Sequence, residues 1–126
     1  MEYINNLIID GNLTRDPEFK ETANGKKLCT FSIANNRYYR TKEETKQETS
    51  FFDIETWAHE AEECTKKLEK GKGVRVIGRL KQDRWEDPEG NPRSKIKIIA
   101  EHVYVKTLQE SRKETAENDD EILVAV

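Results

Sequence analysis

The stretch Ser50–Leu80, SFFDIETWAHEAEECTKKLEKGKGVRVIGRL, changes its apolar period twice. From Ser50 to Trp57 the period is two. Phe52, Ile54 and Thr56 take one side, and Phe51, Asp53, Glu55 and Trp57 take the other. From His59 to Lys70 the spacing turns helical, with Ala61, Cys64 and Leu68 on one stripe. Glu60, Glu62 and Glu63 lie near the start of this segment and Lys66, Lys67 and Lys70 near its end, which complements a helix dipole. Gly71 and Gly73 stop it. Alternation then resumes. Val74, Val76 and Leu80 share one parity, and Arg75, Arg79, Lys81 and Trp85 share the other. The stretch therefore reads strand, short helix, strand.

Outward from it, three more strands are expected. Residues 4 to 14 place Leu7, Ile9, Gly11 and Leu13 on one face, and Gly11 inside the run suggests a bulge or sharp coil. Asp16-Pro17 and Asn24-Gly25 punctuate a connection. Residues 28 to 39 turn Cys29, Phe31 and Ile33 inward. Thr41 to Thr49, without a large apolar residue, reads as an exposed loop or extended hairpin tip. The third strand covers 50 to 58 and the fourth 73 to 86. A dense turn at Asp87–Pro92 leads to a fifth over 93 to 106. That last strand carries Ile96 and Ile98, then Val103 and Val105, which implies an irregularity near Ala100. Five strands with a glycine-coiled first strand and one short helix between the third and fourth give an all-β expectation, a five-stranded OB-fold barrel.

The chain has 126 residues, enough for one domain (1–106) and an appendage (107–126). It is 34% hydrophobic and 37% charged, so a small, fully occupied core is expected, with part of the surface covered in an oligomer. Residues 1 to 108 hold 20 Lys and Arg against 19 Asp and Glu, a net of +1, whereas residues 109 to 126 hold 2 against 6, a net of −4. The body is near neutral with local basic stripes, and local field governs ligand contact. The appendage reads as a flexible acidic tail with an apolar tip, Asp119-Asp120-Glu121 before Ile122 and Leu123. Cys29 and Cys64 sit at apolar-parity positions with no zinc or redox spacing, so buried free thiols are expected. No apolar run approaches membrane-spanning length, and the N-terminus shows no targeting pattern. A cytoplasmic, nucleoid-associated location with no membrane partner follows as an expectation.

Phe51 and Trp57 share their face with two carboxylates, so that face is expected to be wet and the rings open. The neighbouring strand repeats the pattern with Arg75, Arg79, Lys81 and Trp85. Flat rings interleaved with cations suit unpaired bases and their phosphates. Asp53 and Glu55 could be a metal-binding pair, but no third ligand is near in the chain. His59 and His102 are isolated and no nucleophile has a base partner. Gly71-Lys72-Gly73 is too short for a phosphate cradle. No catalytic residue, metal or cofactor is expected.

The chain resembles the bacterial single-stranded DNA-binding protein family from about Tyr3 to Lys106. The matching pieces run from Asn6 to Glu18, then Asn24-Gly25, then Phe31 to Ala34, then Lys70 to Leu80 and Arg84 to Asp87. The resemblance implies a homotetramer that wraps single-stranded DNA with little sequence preference in replication, recombination and repair. It carries the stacking role onto Tyr39, Phe51, Trp57 and Trp85, and backbone contact onto Arg40, Arg75, Arg79, Lys81 and Arg84. Asp53 lies where the family commonly has a basic residue. The tail keeps acid followed by apolar residues but not the family's closing aromatic, and Asp119, Asp120, Glu121, Ile122 and Leu123 are the segment expected to meet replication and repair proteins. The competing expectation is a primosomal-type adaptor on the same fold, acting mainly through protein contacts.

Overall fold

A computed structural model describes residues 2–107. Its strands are β1 (Leu7–Leu13), β2 (Glu18–Glu21), β3 (Lys27–Arg40), β4 (Thr45–Trp57), β5 (Gly73–Glu86) and β6 (Pro92–Val105), and one helix, α1 (Ala58–Lys67), stands between β4 and β5. The sheet order is β1-β5-β6-β4-β3-β2, and β1 pairs again with β3 through Asn12–Ala34 and Leu13–Ile33. That second pairing closes β1, β5, β6, β4 and β3 into the expected five-stranded barrel. All its neighbours are antiparallel except β4 and β6.

One strand was not expected, and an open alternative is decided. β2 is an additional strand on the outside of β3. Its four residues, Glu-Phe-Lys-Glu, are all exposed, so no buried face marks them in the sequence. The segment 41 to 49 is a true hairpin. β3 and β4 stay paired as far as Arg40–Thr45, and Thr41 and Glu44 close the turn.

The core gathers Leu13, Cys29, Phe31, Ile33, Ile54, Val74, Val76, Ile98 and Ala100 inside the barrel, with Leu7, Ile9, Phe52, Val103 and Val105 packed around them. α1 plugs one end through Ala61 and Cys64, and Leu68 follows just past its last turn. Gly71, at φ 90°, then turns the chain into β5. Burial pushes the Cys64 thiol up to about 12. Leu80 shares the parity of Val74 and Val76 but is exposed, because β5 and β6 run on past the barrel as a free hairpin. Asp87 ties its turn by accepting from the amides of Glu89 (3.0 Å) and Asn91 (2.8 Å) and from Arg93 Nε (3.0 Å).

The irregularity expected near Ala100 is a bulge. Ile77 pairs with His102, but Gly78 pairs with Ala100, so Glu101 is the extra residue in β6. One residue of slip exchanges the faces. Beyond the bulge Val103 and Val105 point inward; before it Ile98 and Ala100 do. Glu60 of α1 secures the site by accepting from the Val103 amide at 2.9 Å. Gly78 leaves no room for a side chain, because a Cβ there would run into the Ile99 carbonyl. Among the described residues no helix is long and apolar enough to cross a membrane.

Two measurements check this packing. Gly78→Ala should destabilise the protein by about 1–3 kcal/mol, the range of an overpacked core, seen as a lowered midpoint in urea unfolding. Cys64 should resist a thiol reagent at pH 8 in the folded protein and react in guanidinium, since its thiolate forms only near pH 12 while folded.

Candidate nucleic-acid interface

The outward faces of β3, β4, β6 and β5 join into one surface. In the β3–β4 register Phe51 lies opposite Ala34, Asp53 opposite Ser32 and Trp57 opposite Leu28. Across the parallel step, Glu55 pairs with Ile99 of β6. In the β6–β5 register Ile99 lies opposite Arg79, Lys97 opposite Lys81, Lys95 opposite Asp83 and Arg93 opposite Trp85. Directly paired residues share a face. Phe51 and Trp57 therefore look out on the same side as Arg79, Lys81 and Trp85. Phe51 is 68% exposed, Trp85 49% and Trp57 36%, so these three rings are open to solvent rather than part of the core.

The polar groups between the rings are paired across strands. Lys95 Nζ stands 2.5 Å from Asp53 Oδ2, and Ser32 Oγ donates to Asp53 Oδ1 at 2.6 Å. Those hydrogen bonds, Lys95 first, hold the Asp53 carboxyl below the usual carboxylate range. Lys97 Nζ donates to Glu55 Oε1 at 2.8 Å and lies 2.7 Å from Asp83 Oδ2. Burial pulls the Lys97 ammonium down, but its bonds to Asp83 and Glu55 outweigh this and hold it above its ordinary value. Trp57 Nε1 donates to Glu55 Oε2 at 2.8 Å. The expectation that Asp53 and Glu55 are both wet is thus half right. Asp53 is accessible, but Glu55 keeps only 8% of its surface, sealed between the lysine that neutralises it and the indole that donates to it.

The other expected residues fall in different places. Arg79 and Lys81 lie on the ring face, and Lys81 Nζ is a loose 3.8 Å from Asp83 Oδ1. Arg75 shares their parity but is a fork on Asp10, Nε to Oδ1 at 2.8 Å and Nη2 to Oδ2 at 2.9 Å, and Lys106 reaches the same carboxylate at 2.8 Å. Arg84 pairs with Ser94 and points to the opposite side of the hairpin from Trp85. Arg40 has the parity of Ala34 and lies exposed at the far end of the β3–β4 hairpin. Tyr39 pairs with Lys46 and so lies on the other face from Phe51, half-buried, with the Arg37 guanidinium 5.8 Å from its ring centre. Tyr38, one residue earlier, shares the face of Phe51 and is exposed. Asp119, Asp120, Glu121, Ile122 and Leu123 lie outside the described residues.

Sequence reasoning missed Tyr38, Arg93, Lys95 and Lys97. The signal for three of them was present. Arg93, Lys95 and Lys97 alternate with Ser94, Ile96 and Ile98, which puts the cations opposite the apolar parity. The same pairing bears on the metal question. Asp53 and Glu55 are each occupied by a lysine ammonium, and among the described residues no three His, Cys, Asp or Glu side chains gather to hold an ion.

The model of the single-strand binding protein family matches residues 4–106, which takes in the whole barrel. The chain belongs to that family. Among relatives of this family member, the single-stranded DNA-binding protein of Treponema pallidum is 44% identical over 105 residues, 83% of this chain and 59% of that protein. That of Borreliella burgdorferi is 38% identical over 106 residues, 83% of this chain and 71% of that protein. The fold is similar to a solved structure described as a Plasmodium falciparum SSB complex with ssDNA, at TM-score 0.76 and 24% identity over 85% of this chain and 98% of that one.

Releasing Lys95 tests the electrostatics of the face. Asp53→Asn should tighten binding of a dT oligonucleotide at low salt and steepen the log–log salt dependence by roughly 0.7 if one further phosphate is neutralised.

Proposed function

We propose that this chain binds single-stranded DNA without reading its sequence, and coats and protects strands exposed in replication, recombination and repair. The observation that carries the proposal is the row of open rings, Phe51, Trp57 and Trp85, set among Arg79, Lys81 and Arg93 on one continuous sheet face. Every base has a π-face, so stacking accepts any base, at ~1–3 kcal/mol each. Cations on either side meet the phosphates between stacked bases. Tyr38 and Arg40 extend the same face along the hairpin, while Tyr39 would meet a strand only if it passed round the hairpin to the other side. Arg84 likewise serves a strand that turns over the β5–β6 hairpin. Arg75 acts mainly to join β1 and β5 through Asp10.

The activity is binding, not catalysis. Protection comes from occupying bases and backbone together, so a strand cannot re-pair or be cut. The assembly is a homotetramer and the setting the cytoplasm, where the family's substrate arises. The acidic residues Asp119, Asp120 and Glu121 with Ile122 and Leu123 serve as the contact for replication and repair proteins.

A tryptophan-fluorescence titration with poly(dT) at two salt concentrations tests the proposal. Quenching should accompany binding. Trp57→Ala and Trp85→Ala should each weaken binding by ~1–3 kcal/mol. They should leave the salt slope unchanged, because neither ring carries charge. Undiminished affinity in the double variant would move the function to protein contacts, as an adaptor requires.

A further inference from the structure

Trp57 is set apart from the other two rings of the face by what holds it. Its Nε1 donates to Glu55 Oε2 at 2.8 Å, Glu55 Oε1 accepts from Lys97 Nζ at 2.8 Å, and Lys97 Nζ also reaches Asp83 Oδ2 at 2.7 Å. The chain of contacts crosses three neighbouring strands, from β4 through β6 to β5. Two of its members are largely withdrawn from water: the Glu55 side chain is 11% exposed and that of Lys97 20%. Among the described residues, no comparable hydrogen bond to a side chain ties Trp85 or Phe51. A buried charge is tolerated only when its partners are well placed, so Glu55 and Lys97 each fix the other. The indole is then fixed through its one donor.

We propose that Glu55, held by Lys97, which Asp83 anchors in turn, is a positioning residue that pre-sets the Trp57 ring for stacking against a base. The inference rests on the single-strand reading above and adds a role to a residue sealed from solvent. A ring already held in its bound orientation loses less freedom when a base arrives, so more of the stacking energy appears as affinity. The arrangement explains why an acid occupies the middle of a surface that meets a polyanion. Glu55 repels phosphate less than its charge suggests, because Lys97 neutralises it and the indole covers it. It also separates Glu55 from Asp53 on the same strand face. Asp53 is accessible and merely occupies Lys95, whereas Glu55 is sealed and orients a ring.

The two roles give opposite signs on substitution, and this makes the test sharp. Removing a carboxylate from a DNA-binding face should by charge alone tighten binding. Glu55→Val removes both the charge and the acceptor of the indole N–H. If the positioning role holds, Glu55→Val weakens dT oligonucleotide binding by about three- to tenfold, part of the contribution of one stack. Glu55→Gln, which keeps an amide oxygen for the indole, should retain wild-type affinity or exceed it. The measurement is made on the full chain in a Trp85→Phe background, so that Trp57 alone reports. Glu55→Val should raise acrylamide quenching of Trp57 and lower its anisotropy, while Glu55→Gln should not. In a Trp57→Ala background, Glu55→Val should no longer weaken binding, because the ring it positions is gone. Tighter binding by Glu55→Val, or effects of Glu55→Val and Trp57→Ala that simply add, would overturn the proposal. Lys97→Met supplies a second arm should Glu55→Val fail to fold: it should also loosen Trp57 and weaken binding more at high salt than loss of one phosphate contact explains, and an unchanged anisotropy would count against the role. Failure of the single-strand reading looks different, since the parent protein would then show no quenching with dT oligonucleotide at all.

Discussion

The extra residue in β6 is the constraint from which the rest of the structure follows. Glu101 has no partner in β5, so the faces of β6 exchange between His102 and Ala100. Without that exchange, Val103 and Val105 could not point inward in the same strand as Ile98 and Ala100, and the barrel would lack one wall. Two other features exist to tolerate the bulge. Gly78 lets the β5 backbone approach the Ile99 carbonyl, and Glu60 satisfies the Val103 amide from the helix. Because the faces exchange there, Lys95 and Lys97 point outward beside β4 instead of into the interior.

From that placement comes the chemistry of the surface. The rings of Phe51, Trp57 and Trp85 cover a face whose polar groups are almost all matched in pairs, Lys95 with Asp53 and Lys97 with Glu55 and Asp83. The face is therefore apolar and nearly neutral in its middle, with the cations Arg79, Lys81 and Arg93 around Trp85. On the proposed reading, such a surface depends more on stacking, and less on charge, than a strongly basic domain does. This agrees with a body whose net charge is only +1 over residues 1 to 108, from 20 cations against 19 anions.

Much of this was visible in the order of residues. The periods of two and the helical stripe placed every barrel strand and α1. The switch between Ile96–Ile98 and Val103–Val105 located the bulge to within a residue or two. Phe51, Trp57 and Trp85 were placed outside by parity alone, and they are outside. β2 was not visible because a fully exposed strand has no apolar parity to show. Nor was the choice between Tyr38 and Tyr39, adjacent residues of one type, since only the pairing of Ala34 with Phe51 says which one turns toward the rings.

Alternation along a strand depends on covalent geometry, so the sequence by itself determined which side chains of one strand point together. It also determined the number and order of the barrel strands. Which strands lie beside one another was decided by tertiary structure alone, because it depends on contacts between residues far apart in the chain. Glu55 shows the difference. Its side of β4 was known from its neighbours, but its burial and its hold on Trp57 depend on Lys97, 42 residues away, reaching it from β6. Arg75 shows it again, since Asp10 in β1, 65 residues away in the chain, takes up its guanidinium and joins the two strands.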